Sequence, residues 1–192
     1  MGIWMATSKR LAVKNTLIGI ATLGVSIPGF VTAILLMMIF GVWWPVLPIV
    51  GLGSPANYIL PVAAQSFGQI ASIARLTKST YSEAIQMDYV TMARAKGLSN
   101  LYITVRHVLK NALIPVVTYF GPAIAFLITG SFVVESIFSI PGIGREFTNA
   151  ITNRDYTVVL GFSVFIGVII TVANLAVDII CSLIDPRIKL TN

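Results

Sequence analysis

Apolar and polar positions in this chain segregate over whole segments rather than single turns. No Asp, Glu, Lys or Arg occurs between Lys14 and Arg75, between Lys110 and Glu135, or between Asp155 and Asp178. A helix needs roughly twenty apolar residues to cross the hydrocarbon layer of a bilayer, so intervals of this length predict membrane-spanning helices. Four spans are expected, over residues 15–40, 58–74, 112–134 and 156–184. Pro28–Gly29 lies inside the first span and predicts a bend, because proline removes one helical hydrogen bond. Residues 41–57 (GVWWPVLPIVGLGSPAN) are dense in Gly and Pro and predict a turn region, with Trp43 and Trp44 suited to an interfacial aromatic belt. Pro115, Gly121–Pro122 and Gly130 punctuate the third span, and Glu135 ends it. Ile140–Asn153 predicts a tight turn followed by a short surface helix, and Asp185–Pro186–Arg187 closes the fourth span ahead of a basic tail.

The longest polar, basic passage is the loop 75–111, and its centre has an architecture of its own. In Asp88–Pro115 (DYVTMARAKGLSNLYITVRHVLKNALIP), Asp88 is placed to act as a helix N-cap and Tyr89–Lys96 contains good helix formers. Gly97 fits the left-handed residue just past a helix end, and Ser99 can cap a second helix starting near Asn100. The expectation is a short helix, a sharp glycine bend and a second helix running toward the membrane. Such a rigid projection is suited to docking a partner.

Composition changes the picture only by confirming its class. The 192 residues are 56% hydrophobic and 10% charged, with a mean hydropathy of +0.89. Soluble domains carry about 25% charged residues, so an all-α integral membrane protein is expected. A net charge of +6 would suggest nucleic acid in a soluble chain. Here the basic residues flank the spans instead, and no nucleic-acid partner is expected. Eleven Lys/Arg fall in the Met1–Lys14 lead-in, the central loop and the tail, against Arg145 and Arg154 on the opposite side. That bias predicts cytoplasmic termini and a cytoplasmic central loop. Met1–Arg10 lacks the apolar region and small-residue cleavage site of a signal peptide.

Candidate chemistry is sparse. There is no glycine-rich phosphate loop, so ATP binding by that route is not expected. The single cysteine, Cys181, excludes an internal disulfide, and the single histidine, His107, excludes a multi-histidine metal centre. No metal, cofactor or enzymatic activity is predicted. Gln65, Gln69 and Ser72 recur at spacings of four and three, which places them on one helical face. That face either hydrogen-bonds a neighbouring helix or lines a pathway. Glu135, Asn174 and Asp178 are the polar residues nearest membrane depth, with a local structural role and a functional one both open.

YVTMARAKGLS followed by RHVLKNALIPVV resembles the cytoplasmic signature loop of binding-protein-dependent ABC transporter permeases, in its dipeptide/oligopeptide version. ITGSFVVESIFSIPGIG, the NRDY of Asn153–Tyr156 and VDIICSLIDPRIK resemble the same subfamily, in particular its B-type oligopeptide permease subunit. The resemblance implies a type I ABC importer permease fold in the cytoplasmic (inner) membrane, with a cytoplasmic coupling helix. It implies ATP-driven import of oligopeptides or dipeptides by alternating access. The implied partners are a second (C-type) permease subunit, two ATP-binding subunits and an extracytoplasmic substrate-binding protein. The implied coupling residues are Asp88, Tyr89, Thr91, Met92, Ala93, Arg94, Ala95, Lys96, Gly97, Leu98 and Ser99. The family's glycine falls on Gly97 and its Glu-Ala-Ala triplet on Thr91, Met92 and Ala93, so the glutamate is absent. The resemblance also implies an N-terminally shortened chain that starts just before the family's third span. Nickel or glutathione as substrate, and a non-transporting membrane scaffold, remain as alternatives.

Overall fold

Long apolar runs interrupted mainly by Gly and Pro can satisfy their backbone groups in lipid only as helices. Every regular element among the described residues is helical. The computed structural model describes residues 1–129 and 131–184; Gly130, the closing Asp185–Pro186–Arg187 and the basic tail lie outside the described residues. In chain order the helices are α1 (Gly2–Thr7), α2 (Leu11–Ser26), α3 (Gly29–Met37), α4 (Ile59–Ala84), α5 (Asp88–Ala95), α6 (Asn100–Ile103), α7 (Leu109–Thr129), α8 (Phe132–Ile137), α9 (Ile143–Thr152) and α10 (Tyr156–Ile184). Wider π-type turns extend α3 over Met38–Trp43 and join α6 to α7 over Thr104–Val108.

Some helix ends fall where the sequence places them and others do not. The bend expected at Pro28–Gly29 is present: Pro28 occupies the cap position of α3, and α2 and α3 form a bent pair. Helix α4 runs ten residues past Ala74, because Arg75–Ala84 holds good helix formers and its Tyr81 and Ala84 are buried. Those residues therefore continue helix α4 rather than forming an irregular loop. Helix α7 ends at Thr129, and Ser131, with an extended backbone, accepts from the Val134 N–H at 3.5 Å at the start of α8. Among the described residues two stretches, Asn100–Ile137 and Tyr156–Leu183, are long and apolar enough to cross a membrane, or three if the bent pair counts as one. Helix α4 has the length but carries Gln65, Gln69, Ser72 and Arg75 along it.

The chain divides into two compact units. The first comprises Met1–Leu23, Ala71–Gly121 and the chain from Asn174. Met5, Ala21 and Ala74 are buried together there, with Leu17 and Ile18 against them. A second core gathers Tyr81, Ala84, Val90, Ala93, Ile103, Val108 and Ala112. Small residues let helices approach closely: a Cβ on Gly121 would stand 2.7 Å from Asn174 Oδ1, and Thr118 Oγ1 lies 3.4 Å from Cys181 Sγ. This is the small-residue contact expected of membrane helices, where lipid gives apolar side chains no drive to associate.

The second unit comprises Gly24–Ile70 and Pro122–Ala173. Its core holds Ala33, Leu60, Ala64, Val134 and Phe138, with Leu36, Phe40 and Ile140 packed around them. Helix α9 meets α10 through an edge-to-face pair, Phe147 and Phe162, with ring centroids 6.0 Å apart. Residues 50–58 are tied by Asn57, whose Nδ2 donates to Val50 O at 2.8 Å while its Oδ1 accepts from Ser54 Oγ at 2.7 Å.

Candidate functional site

The polar passage singled out by the sequence folds into a braced hairpin. Helix α5 begins at Asp88, after Met87 in an extended conformation with no side-chain cap. Asp88 is thus the first helical residue and not the N-cap, because the turn after Ala84 places the extended residue one position earlier. Its charge still suits the positive end of the helix. The other end of α5 closes as a Schellman motif. Gly97 N–H donates to Arg94 O at 2.9 Å and Leu98 N–H to Ala93 O at 3.3 Å, around Gly97 at φ +75°. A left-handed residue here is nearly free of strain only for glycine. Ser99 then caps α6, its Oγ accepting from Tyr102 N–H at 3.4 Å.

Anchoring and exposure separate cleanly along this hairpin. Val90 and Ala93 of α5, Ile103 of α6 and Val108 are buried in one core with Tyr81 and Ala84, while Tyr89 packs half-buried against it. Thr91, Met92, Arg94, Ala95, Lys96, Gly97, Leu98 and Ser99 face outward with Asp88. Met92 among them is 61% exposed, and Leu101 beyond them 75%. The coupling residues expected from sequence therefore split into two anchors, Ala93 and the partly buried Tyr89, and an apolar and basic outer surface. Val90, absent from that expected set, is the most deeply seated residue of α5. The i, i+3 spacing of Val90 and Ala93 was the available signal. His107 sits in the π-type turn with its ring edge-on to Tyr102, centroids 5.8 Å apart.

The glutamine stripe of α4 is divided between the units. Gln65 and Gln69 line a cavity of about 260 Å³ in the second unit, together with Gly29, Phe30, Phe126 and Ser131. Gln65 also lines a neighbouring cavity of about 200 Å³ with Tyr58, Ser131 and Glu135. Its Nε2 is buried without a hydrogen-bond partner. Ser72 belongs to the first unit and lines neither cavity.

The three polar residues near membrane depth have three different environments. Glu135 reaches across to the start of α9, where its Oε2 accepts from Arg145 N–H at 2.8 Å. Gly142 and Gly144 make room for that carboxylate: a Cβ on Gly142 would run into it, and one on Gly144 would lie 3.2 Å from Oε2. Glu135 thus serves as a remote N-cap, satisfying a backbone donor that the first turn of a helix leaves free. Asn174 packs against Gly121, and Asp178 is exposed on α10. Among the described residues no group of His, Cys, Asp and Glu is arranged to hold a metal ion.

An all-α chain with long apolar helices and a braced basic hairpin leading into one of them has the features of a multi-pass membrane permease. Residues 1–190 match the family described as binding-protein-dependent transport system inner membrane component, and the chain belongs to that family. It is a multi-pass inner-membrane protein with the type I ABC permease fold. It is 43% identical over 190 residues to the dipeptide transport system permease protein DppB of Bacillus subtilis (strain 168), covering 99% of this chain and 62% of that protein. It is 42% identical over 190 residues to the oligopeptide transport system permease protein OppB of Escherichia coli (strain K12), covering 98% and 62%. To the DppB of Lactococcus lactis subsp. cremoris (strain MG1363) it is 39% identical over 171 residues, covering 89% and 56%. The chain thus spans about three fifths of the length of these curated relatives.

Proposed function

We propose that this chain is the permease part of an ATP-driven importer for dipeptides or oligopeptides. ATP hydrolysis takes place in two partner subunits, a second C-type permease completes the membrane part, and an extracytoplasmic binding protein delivers substrate. The observation that carries this reading is the hairpin Asp88–Ile103. Its inner residues Val90, Ala93 and Ile103 lock it to the ends of the neighbouring membrane helices, while Met92, Leu98 and Leu101 stand bare outside. An exposed apolar face on a rigid, anchored element fits a docking surface, and a push on it is passed to α4 and α7 rather than absorbed by a slack loop. The relatives named for dipeptide and oligopeptide transport support the substrate class.

The positive-inside distribution supports cytoplasmic termini and a cytoplasmic hairpin. Gln65 and Gln69, beside the cavity of about 260 Å³, are the pathway-lining residues of this reading, and Ser72 is assigned to helix contact. Alternating access follows if ATP binding closes the partner subunits on the hairpin and the membrane helices tilt at Pro28 and at the π-type turn 104–108.

The test is uptake of a labelled dipeptide and a labelled oligopeptide by proteoliposomes holding the chain with its own partner subunits. ATP-dependent uptake that neither nickel nor glutathione competes for is expected. Uptake of nickel or glutathione instead would move the substrate class, and no uptake of any of them would favour the scaffold.

A further inference from the structure

Within the first unit, a cleft of about 510 Å³ opens between α1, the end of α4 and the α5–α6 hairpin. Two cations, Lys9 and Arg94, line it with Ser82, Gln86, Asn100 and Thr104, and among the described residues no acidic one does. Among the described residues none of these six side chains has a hydrogen-bond or ionic partner. Lys and Arg are donors only, and amides and hydroxyls add further donors. Two like charges drawn to one cleft repel each other unless an anion lies between them. Arginine with amide and hydroxyl donors is the combination that recognises phosphate oxygens.

From this geometry we infer that the cleft binds a phosphate group, carried either by an anionic lipid headgroup or by a free phosphate. The position gives the site a consequence. Arg94 and Asn100 flank the Gly97 bend, Ser82 and Gln86 lie at the end of α4, and Lys9 follows α1. A phosphate held by all of them ties four chain segments together and stiffens the hairpin. Occupancy therefore favours the docked geometry of the coupling element. Binding itself does not depend on what the protein transports.

The experiment is thermal unfolding of the purified full chain under paired conditions. One arm compares nanodiscs of phosphatidylcholine with discs containing phosphatidylglycerol; the other compares inorganic phosphate with chloride at equal ionic strength in phosphatidylcholine discs. Ligand at about a hundredfold above Kd raises Tm by roughly 5 °C or more. A rise with phosphatidylglycerol alone assigns the lipid source, and a rise with inorganic phosphate assigns the free anion. In either case Lys9→Gln and Arg94→Gln must each remove most of the shift. Because Arg94 sits beside the bend, Lys9→Gln, on an exposed residue outside the hairpin, is the variant whose folding is safe. A shift in neither arm, or one of equal size in Lys9→Gln, overturns the inference.

Discussion

Replacing Gly97 isolates the physical element on which the coupling reading depends. Among the described residues a Cβ added at Gly97 meets nothing within 4 Å, so no steric clash with them accompanies the substitution. Only the backbone conformation is penalised, since Gly97 has φ +75°. For an ordinary L-residue the left-handed region costs about 1–2 kcal/mol, which lowers the ratio of formed to unformed bend roughly 5- to 30-fold. Asparagine tolerates this region and should lose least; alanine should be intermediate, and β-branched valine worst. The assay is hydrogen exchange at the Gly97 and Leu98 amides, which donate to Arg94 O and Ala93 O, read together with retention of the ATP-binding subunit on the purified membrane complex. Protection and retention should fall in the order Gly, Asn, Ala, Val. Equal protection in Gly97→Val would refute the conformational argument. Full protection with lost retention in Gly97→Asn would show that a partner surface, and not φ, demands the glycine.

Four further perturbations probe the supports of the two units. Val90→Ala empties a fully buried position of the hairpin core and should cost about 2 kcal/mol, read as faster exchange across α5; unchanged exchange would contradict the anchoring role. Gly144→Ala places a Cβ 2.8 Å from Phe132 N and 3.1 Å from its Cα. Backbone cannot step aside as a side chain can, so about 1–3 kcal/mol of destabilisation is expected in a thermal melt. Glu135→Ala should lose a comparable amount by leaving the Arg145 amide unpaired, and Glu135→Gln less. Gly121→Ala should destabilise the α7–α10 contact, and adding Asn174→Ala should recover part of the loss, with a coupling energy of roughly 0.5–3 kcal/mol. Strict additivity would mean that the two residues do not touch.

What could be read from the sequence, and what could not, follows the range of the interactions involved. The Gly97 bend and the Ser99 cap are fixed by residues within five positions, and both were legible from residue chemistry. Asp88 shows the limit of that approach: a cap belongs to whichever residue turns extended, and the turn after Ala84 gives that conformation to Met87. The division of the glutamine stripe was hidden because periodicity places Gln65, Gln69 and Ser72 on one face without saying what each meets along α4. Glu135 was legible as an acid near membrane depth, but its bond to Arg145 N–H joins positions ten apart, across the α8–α9 turn. The glycines at 142 and 144 were the one clue to that approach. Charge at Arg75 marks where the apolar run 58–74 stops but not where the helix does, because burial of Tyr81 and Ala84 keeps the chain helical to Ala84.

The central claim is that the outer face of the Asp88–Ile103 hairpin is the seat of an ATP-binding subunit. Photo-crosslinking side chains introduced singly at Met92, Leu98 and Leu101 test it most directly, with Trp43 in the second unit, 67% exposed, as the control. In membranes containing the full set of partner subunits, each hairpin position should give an adduct with the ATP-binding subunit and Trp43 should give none. Absence of that adduct at all three hairpin positions, in complexes that still take up peptide, would contradict the account.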